Sequence, residues 1–372
     1  MTAKVLSPLA LLVLGCQIAF AQPATDVPTK TTNPANLKNG FPAPLDEKKI
    51  MDETKAFMEM TPEKQKAFMR GMTENILRMA LTRAKFKDTK LQDDIVQFVN
   101  EQEDFRVDVR AAGGKLYMAL KATDAPVDAK VVEGLLSEYV AAADEVRSER
   151  IVATKGLDQK IGFSRFPHLQ AFLQTNGIIG ESAVLQGDII MIGTLAAGSL
   201  DIKPDLTKLP DAKTLEKKKV DTQTFLNMTP VQRKAHMREL DHDILRSALS
   251  ANGFNDQKLQ DEILLFVDEQ EQAREELRDS GGKIHLALEP YGKPTDAEGM
   301  ELLLKDYLAV VEKAKAQRKQ AEDAFAAKIG LSTNLKLRAT LLLQGIIGDE
   351  SSLTGDIVMV GSMSSSVLTV KD

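Results

Sequence analysis

The stretch Lys90-Leu91-Gln92-Asp93, running through Gly113-Gly114-Lys115 to Leu120, occurs twice, returning 168 positions later from Lys258-Leu259-Gln260-Asp261 through Gly281-Gly282-Lys283 to Leu288. Placed on a helix of about 3.6 residues per turn, Ile95, Val99, Val109, Leu116 and Leu120 fall on one side, within about 60° of one line. Ile263, Val267, Leu277, Ile284 and Leu288 repeat the stripe in the second copy. The phase of these residues does not change across either Gly-Gly pair, so the pattern predicts one continuous helix in each copy. Two glycines in a helix interior cost roughly 1 kcal/mol each relative to alanine. That cost is expected where a neighbouring element crosses closely.

The stripe is not purely apolar. Gln102 and Arg106 fall on its centre, and Gln270 and Arg274 do so in the second copy. A buried guanidinium is costly unless it is paired and hydrogen-bonded, and Glu103 and Glu271, three residues before each arginine, are the nearest candidates. Closing the helical hairpin near Thr123, with Leu120 opposite about Val127, would bring Tyr139 and Tyr307 to this layer as hydrogen-bond partners. The residues Gln102, Glu103, Arg106, Tyr139, Gln270, Glu271, Arg274 and Tyr307 therefore form the candidate binding or structural layer. One reading is a polar network that sets helix register, and the other is an anion-reading or client-contacting patch.

Outward from this stretch, the chain from 57 to 193 aligns with 225 to 361 without a gap. Each copy opens with Met-Thr-Pro (Met60-Thr61-Pro62 and Met228-Thr229-Pro230), a natural cap followed by the residue suited to a first helical position. A first helix of about 20 residues follows. The long second helix starts at Asp88 or Thr89, and at Asp256 or Gln257 in the second copy. A third helix carries Val132, Leu136 and Tyr139, with Met300, Leu304 and Tyr307 as counterparts, and Thr295-x-x-Glu298 reads as its capping box. Ser164 and Ser332 would cap a short fourth helix ending at Gly177-Ile178-Ile179-Gly180 and Gly345-Ile346-Ile347-Gly348. The apolar pieces 189–192 and 357–360 carry no period that separates strand from helix.

These elements predict an all-α protein of two tandem helical domains, 56–198 and 223–363, each built on a long antiparallel helical hairpin. Residues 1–21 read as a cleaved secretory signal: Lys4, then an apolar run ending in Ala19-Phe20-Ala21. Residues 22–55 are a flexible lead-in, 199–222 a linker and 364–372 a tail. The mature chain is then exported, periplasmic or secreted, with no transmembrane segment. Val13-Leu14-Gly15-Cys16 offers the alternative of a lipid anchor at Cys16, the only cysteine, so no disulfide or cysteine metal site is expected.

Removing Lys4 with the leader takes the formal charge from −6 to −7, which excludes nucleic acid as an expected partner, because phosphate binding needs a basic face. The four histidines, His168, His236, His242 and His285, have Lys336, Phe68, Glu74 and Tyr117 at the 168-residue offset. No duplicated histidine site exists, and no metal or cofactor is expected. Neither a nucleophile elbow nor a phosphate-cradling loop is present.

Met228-Thr229-Pro230-Val231-Gln232 resembles the Leu-Thr-x-x-Gln motif of the periplasmic helical stress proteins of the Spy/CpxP class. The first copy departs from it, with Lys64 at the glutamine position and Gln65 one place later. The resemblance implies an export-compartment, helical, ATP-independent chaperone or envelope-stress binder, and transfers no catalytic residues. The expected function is an exported, non-enzymatic binding or chaperone-like protein with a protein partner or unfolded client. Its rivals are an envelope structural protein and an enzyme using the Glu/Arg/Tyr layer.

Overall fold

The structure, a computed structural model, describes residues 60–121, 128–180, 228–288 and 295–350. The expected signal, lead-in, linker and tail, Cys16, and the apolar pieces 189–192 and 357–360 lie outside the described residues. The described residues form an all-α fold without strands. In the first copy these are α1 (Pro62–Arg83), α2 (Thr89–Lys121), α3 (Ala129–Ile161), a 3-10 turn (Phe163–Arg165) and α4 (Pro167–Thr175). The second copy supplies α5 (Pro230–Ala251), α6 (Gln257–Leu288), α7 (Ala297–Ile329) and α8 (Leu335–Leu343).

Helix starts follow local chemistry. Thr229 caps α5 in a reciprocal box with Gln232: each side chain accepts from the other's backbone N–H, at 3.3 and 2.9 Å. Lys64 at the matching position leaves Thr61 accepting alone, at 3.4 Å. Asp88 and Asp256 accept from the N–H groups of Leu91 and Leu259 and start the long second helices. The third helix of the second copy is capped by Asp296, which accepts from Gly299, and not by Thr295. Asp128 does the same work in the first copy. Nor do Ser164 and Ser332 cap the short helices. Ser164 is inside the 3-10 turn, α4 starts at Pro167, and α8 is capped by Asn334. The reason is the sharp exit from the third helix, where Gly162 and Gly330 both hold the left-handed conformation at φ 65° that L side chains rarely adopt.

The recurring Leu-Gln-Asp has a structural job. Gln92 Nε2 donates to Phe86 O (2.8 Å) and Thr82 Oγ1 (3.1 Å), and Gln260 Nε2 donates to Phe254 O (2.7 Å) and Ser250 Oγ (3.0 Å). One position on, Asp93 pairs with Arg78 and Asp261 with Arg246. Each copy thereby ties its first helix back onto the start of its second. The second helix then runs unbroken through the glycine pair, 33 residues in α2 and 32 in α6, roughly 50 Å.

Ion pairs fix the direction and register of the third helix against the second. Lys115 pairs with Glu138, and Lys160 with Asp94 at 2.9 Å, so α2 and α3 are antiparallel. Lys313 with Glu276 and Lys328 with Glu262 hold α6 and α7 in the matching register.

Both copies lie in one compact unit, 70–202 with 212–372. The other unit, 1–69 with 203–211, contributes only the first turns of α1 to the described residues. Within the larger unit the short helices cross over: α4 packs on α6 and α7, and α8 packs on α2 and α3. A single apolar cluster holds Leu116, Leu120, Val132 and Leu136 from the tip of the first hairpin. It also holds Ile263, Phe266 and Phe325 from the base of the second, and Leu337 and Leu341 of α8. Phe266 and Phe325 stack at 4.2 Å within it. The repeat boundary is not a core boundary. The physical reason is that neither hairpin's apolar face is covered by its own copy alone.

Candidate functional site

The polar residues of the second helices are where the periodicity places them. Gln102 and Arg106 are each 2% exposed on α2, and Gln270 and Arg274 are each 5% exposed on α6. Arg106 Nη1 donates to Glu103 Oε1 at 3.2 Å, while the other oxygen of Glu103 takes Arg110 at 2.6 Å. The second copy repeats the fork, with Glu271 receiving Arg274 at 3.4 Å and Arg278 more closely. One carboxylate therefore serves two guanidinium groups in each copy. Burial alone disfavours such charges, and the shared carboxylate is one partner that offsets it. Gln102 Nε2 is buried and makes no hydrogen bond among the described residues.

Tyr139 and Tyr307 are fully buried, but Tyr139 does not belong to this layer. The observed register closes the first hairpin later than the expected pairing of Leu120 with Val127, so Arg106 comes level with the region of Arg147. Tyr139 instead lies over the glycine pair. A Cβ on Gly113 would sit 3.2 Å from Tyr139 Cε2, 3.5 Å from Cδ2 and 3.8 Å from Leu343 Cδ2. The expected close approach at the glycines is present, and the approaching groups are a tyrosine ring and a leucine from the other repeat's α8.

The charged groups that bear on the Tyr139 hydroxyl are Glu350, Arg147 and Asp349. Burial, then the negative charge of Glu350, raises this phenol above the ordinary tyrosine value. Arg147 pairs with Asp144 on its own helix at 2.7 Å, with Asp349 of the second copy, and with Glu350 at 3.8 Å. The arrangement is lopsided. Burial works against the Arg147 charge, yet Asp349 and Glu350 hold it above the ordinary guanidinium value. Glu350 loses more to burial and to the neighbouring Asp349 charge than its hydrogen bond from the backbone and Arg147 return, so its carboxyl stands above the usual range.

Sequence reading passes over this cluster, because Glu350 has Ser182 at the repeat offset, while Arg147, Asp144 and Asp349 are matched only in charge by Lys315, Glu312 and Glu181. A signal was present nearby. Arg150 and Arg318 are equivalent, and both aim at the carbonyls of the glycine turns. Arg150 Nη2 donates to Gly177 O at 2.8 Å, and Arg318 Nη2 to Gly345 O at 3.4 Å and to Gly348 O. Glu322 in turn accepts from the Gly348 N–H at 3.0 Å. Burial pulls Arg318 below the ordinary guanidinium value, against the pull of Glu322, Asp349 and Glu350.

The histidines serve packing contacts of different kinds. His168 Nε2 meets Thr295 O at 2.8 Å, joining α4 to the start of α7. His242 meets Asp268 at 2.9 Å, beside Arg238. Burial pushes the Asp268 carboxyl up, but hydrogen bonds from Arg238 and His242 outweigh it and hold the group below the ordinary value. Among the described residues no group of three or more His, Cys, Asp or Glu side chains could hold a metal ion. No described helix is long and apolar enough to cross a membrane.

The fold and these contacts define a class: an internally duplicated all-α protein whose two hairpins share one apolar core and carry a buried arginine layer. The chain matches no known family model, no curated protein and no solved structure.

Proposed function

We propose that this is an exported, non-enzymatic helical binding protein of the cell envelope, chaperone-like in acting on protein clients without a nucleotide. The observation that carries this reading is the division of labour between inside and outside. The Glu/Arg layer is spent inside the packing, and Tyr139 is spent against Gly113 and Leu343. Among the described residues, these polar groups are taken up in packing. Meanwhile Met118 and Leu286, equivalent positions near the two hairpin tips, are 62% and 65% exposed. Val131 and Leu302, at the start of the third helices, are also exposed. Flexible and branched apolar side chains held outward on rigid helices suit adaptable contact with unfolded chains. The resemblance of the α5 start to the Spy/CpxP motif points the same way. Thr229 and Gln232 of that motif also have a sufficient local use as a capping box.

The test is suppression of aggregation of an unfolded model client by the purified chain, without nucleotide. Met118→Lys together with Leu286→Lys is expected to abolish suppression while leaving the melting temperature unchanged, because both side chains already face water. Undiminished suppression by the double variant would refute this surface, and absence of suppression by the wild type would refute the function.

A further inference from the structure

The junction where the second repeat leaves α8 and meets α3 of the first is crowded with ionisable groups. Arg147, Asp144 and Tyr139 face it from α3, Arg318 and Glu322 from α7, and Asp349 and Glu350 from the chain after α8. Two guanidinium groups thus meet four carboxyls. Arg147 takes Asp349 and Asp144 at direct pairing distance, while Glu350 stands off at 3.8 Å. The Glu350 side chain is only 12% exposed, and its Oε2 accepts from the Asp349 N–H at 3.0 Å; the Tyr139 hydroxyl, which feels the Glu350 charge, is buried without a hydrogen-bond partner.

We propose that Glu350 is a proton-operated latch between the two repeats, sealing the junction when protonated and loosening it when charged. Three observations converge on this residue. Its carboxylate is surplus to the charge that Arg147 needs. Water reaches it too little to solvate a charge well. Once protonated it becomes a hydrogen-bond donor as well as an acceptor, and it no longer sets a second negative charge against that of Asp349. The proton comes from solvent and returns to it, and no bond other than O–H forms or breaks. The first repeat has Ser182 at the equivalent position, so the latch exists once per chain.

The direction follows from linkage. Burial and the Asp349 charge raise the carboxyl of Glu350 in the folded protein. The folded state therefore holds this proton more firmly than the unfolded chain does. The stability so contributed is fully present below the ordinary glutamate value and is lost as pH rises through the raised folded value. Acid tightens the junction, and rising pH loosens it.

The experiment uses the full-length chain, with thermal unfolding at about pH 4, below the ordinary glutamate value, and at about pH 7.5, above it. Wild type is compared with Glu350→Gln, which carries a permanent uncharged mimic. The variant is expected to match wild type at the acid end and to melt higher at the neutral end. Parallel curves, or a variant that is weaker only at neutral pH, would overturn the latch. A titration of glutamate carboxyl carbons by NMR gives a second reading without that variant. One resonance should titrate above the others, and Arg147→Met, which removes the opposing cation, should move it higher still. Absence of any glutamate titrating above the ordinary range would also overturn the proposal.

Discussion

Gly113→Ala sets two opposed effects of known size against each other at one atom. In an isolated helix the change is worth roughly 1 kcal/mol in favour of alanine. In the folded protein the new methyl would sit 3.2 and 3.5 Å from two ring carbons of Tyr139 and 3.8 Å from Leu343. The ring is fully buried, so it has little room to retreat, and overpacking of this kind costs about 1–3 kcal/mol. The expected net change is a loss of about 1 kcal/mol. Gly134 supplies the control. It lies inside α3, and a Cβ there meets nothing within 4 Å, so Gly134→Ala keeps only the helix term and is expected to stabilise by about 1 kcal/mol. The two variants should differ by about 2 kcal/mol in urea unfolding, or several degrees in melting temperature. If Gly113→Ala stabilises as much as Gly134→Ala, Tyr139 does not bear on the glycine and the register deduced from the ion pairs is wrong.

Two further outcomes follow from the shared core and the buried layer. A protease site placed in the spacer between Ser199 and Asp211, cut after folding, should leave two fragments that co-elute and melt in one transition, because each hairpin is covered by the other copy's short helix. Fragments that separate into monomers with independent transitions would refute the exchange. Arg106→Met should change stability modestly, since a buried ion pair often breaks even against an apolar residue of similar shape, and should leave aggregation suppression intact. Glu103→Gln should cost more, by removing the carboxylate that Arg106 and Arg110 share. Lost suppression at unchanged melting temperature in Arg106→Met would show that the arginine reads a client or anion instead.

Much of this protein follows from local chemistry. The 3.6-residue stripe is present in α2 and α6 because periodicity depends only on which face must leave water. The second helices persist through their glycine pairs because the apolar phase never shifts. Thr229, Asp88 and Asp256 cap where their side chains reach their own backbone. The burial of Gln102 and Arg106 was legible for the same reason, and so was Glu103 as partner, three residues away on one helix. Local pattern already misleads at Ser164 and Ser332, where a left-handed glycine delays the short helices to Pro167 and Leu335.

Tertiary structure alone decided which surface each stripe meets. Both copies carry nearly the same apolar face, so α8 could have docked on α6 and α7 by pattern alone, yet it lies on α2 and α3. Tyr139 moved from the arginine layer to Gly113 because hairpin register is set by how the two helices pack, as the pairing of Lys115 with Glu138 records, and spacing within one helix is blind to that. The Arg147, Asp349 and Glu350 junction joins residues some 200 positions apart, and Glu350 has no acidic counterpart in the other repeat. A periodic reading finds what recurs along one chain segment; a charge cluster assembled from two segments exists only once the shared core has brought them together.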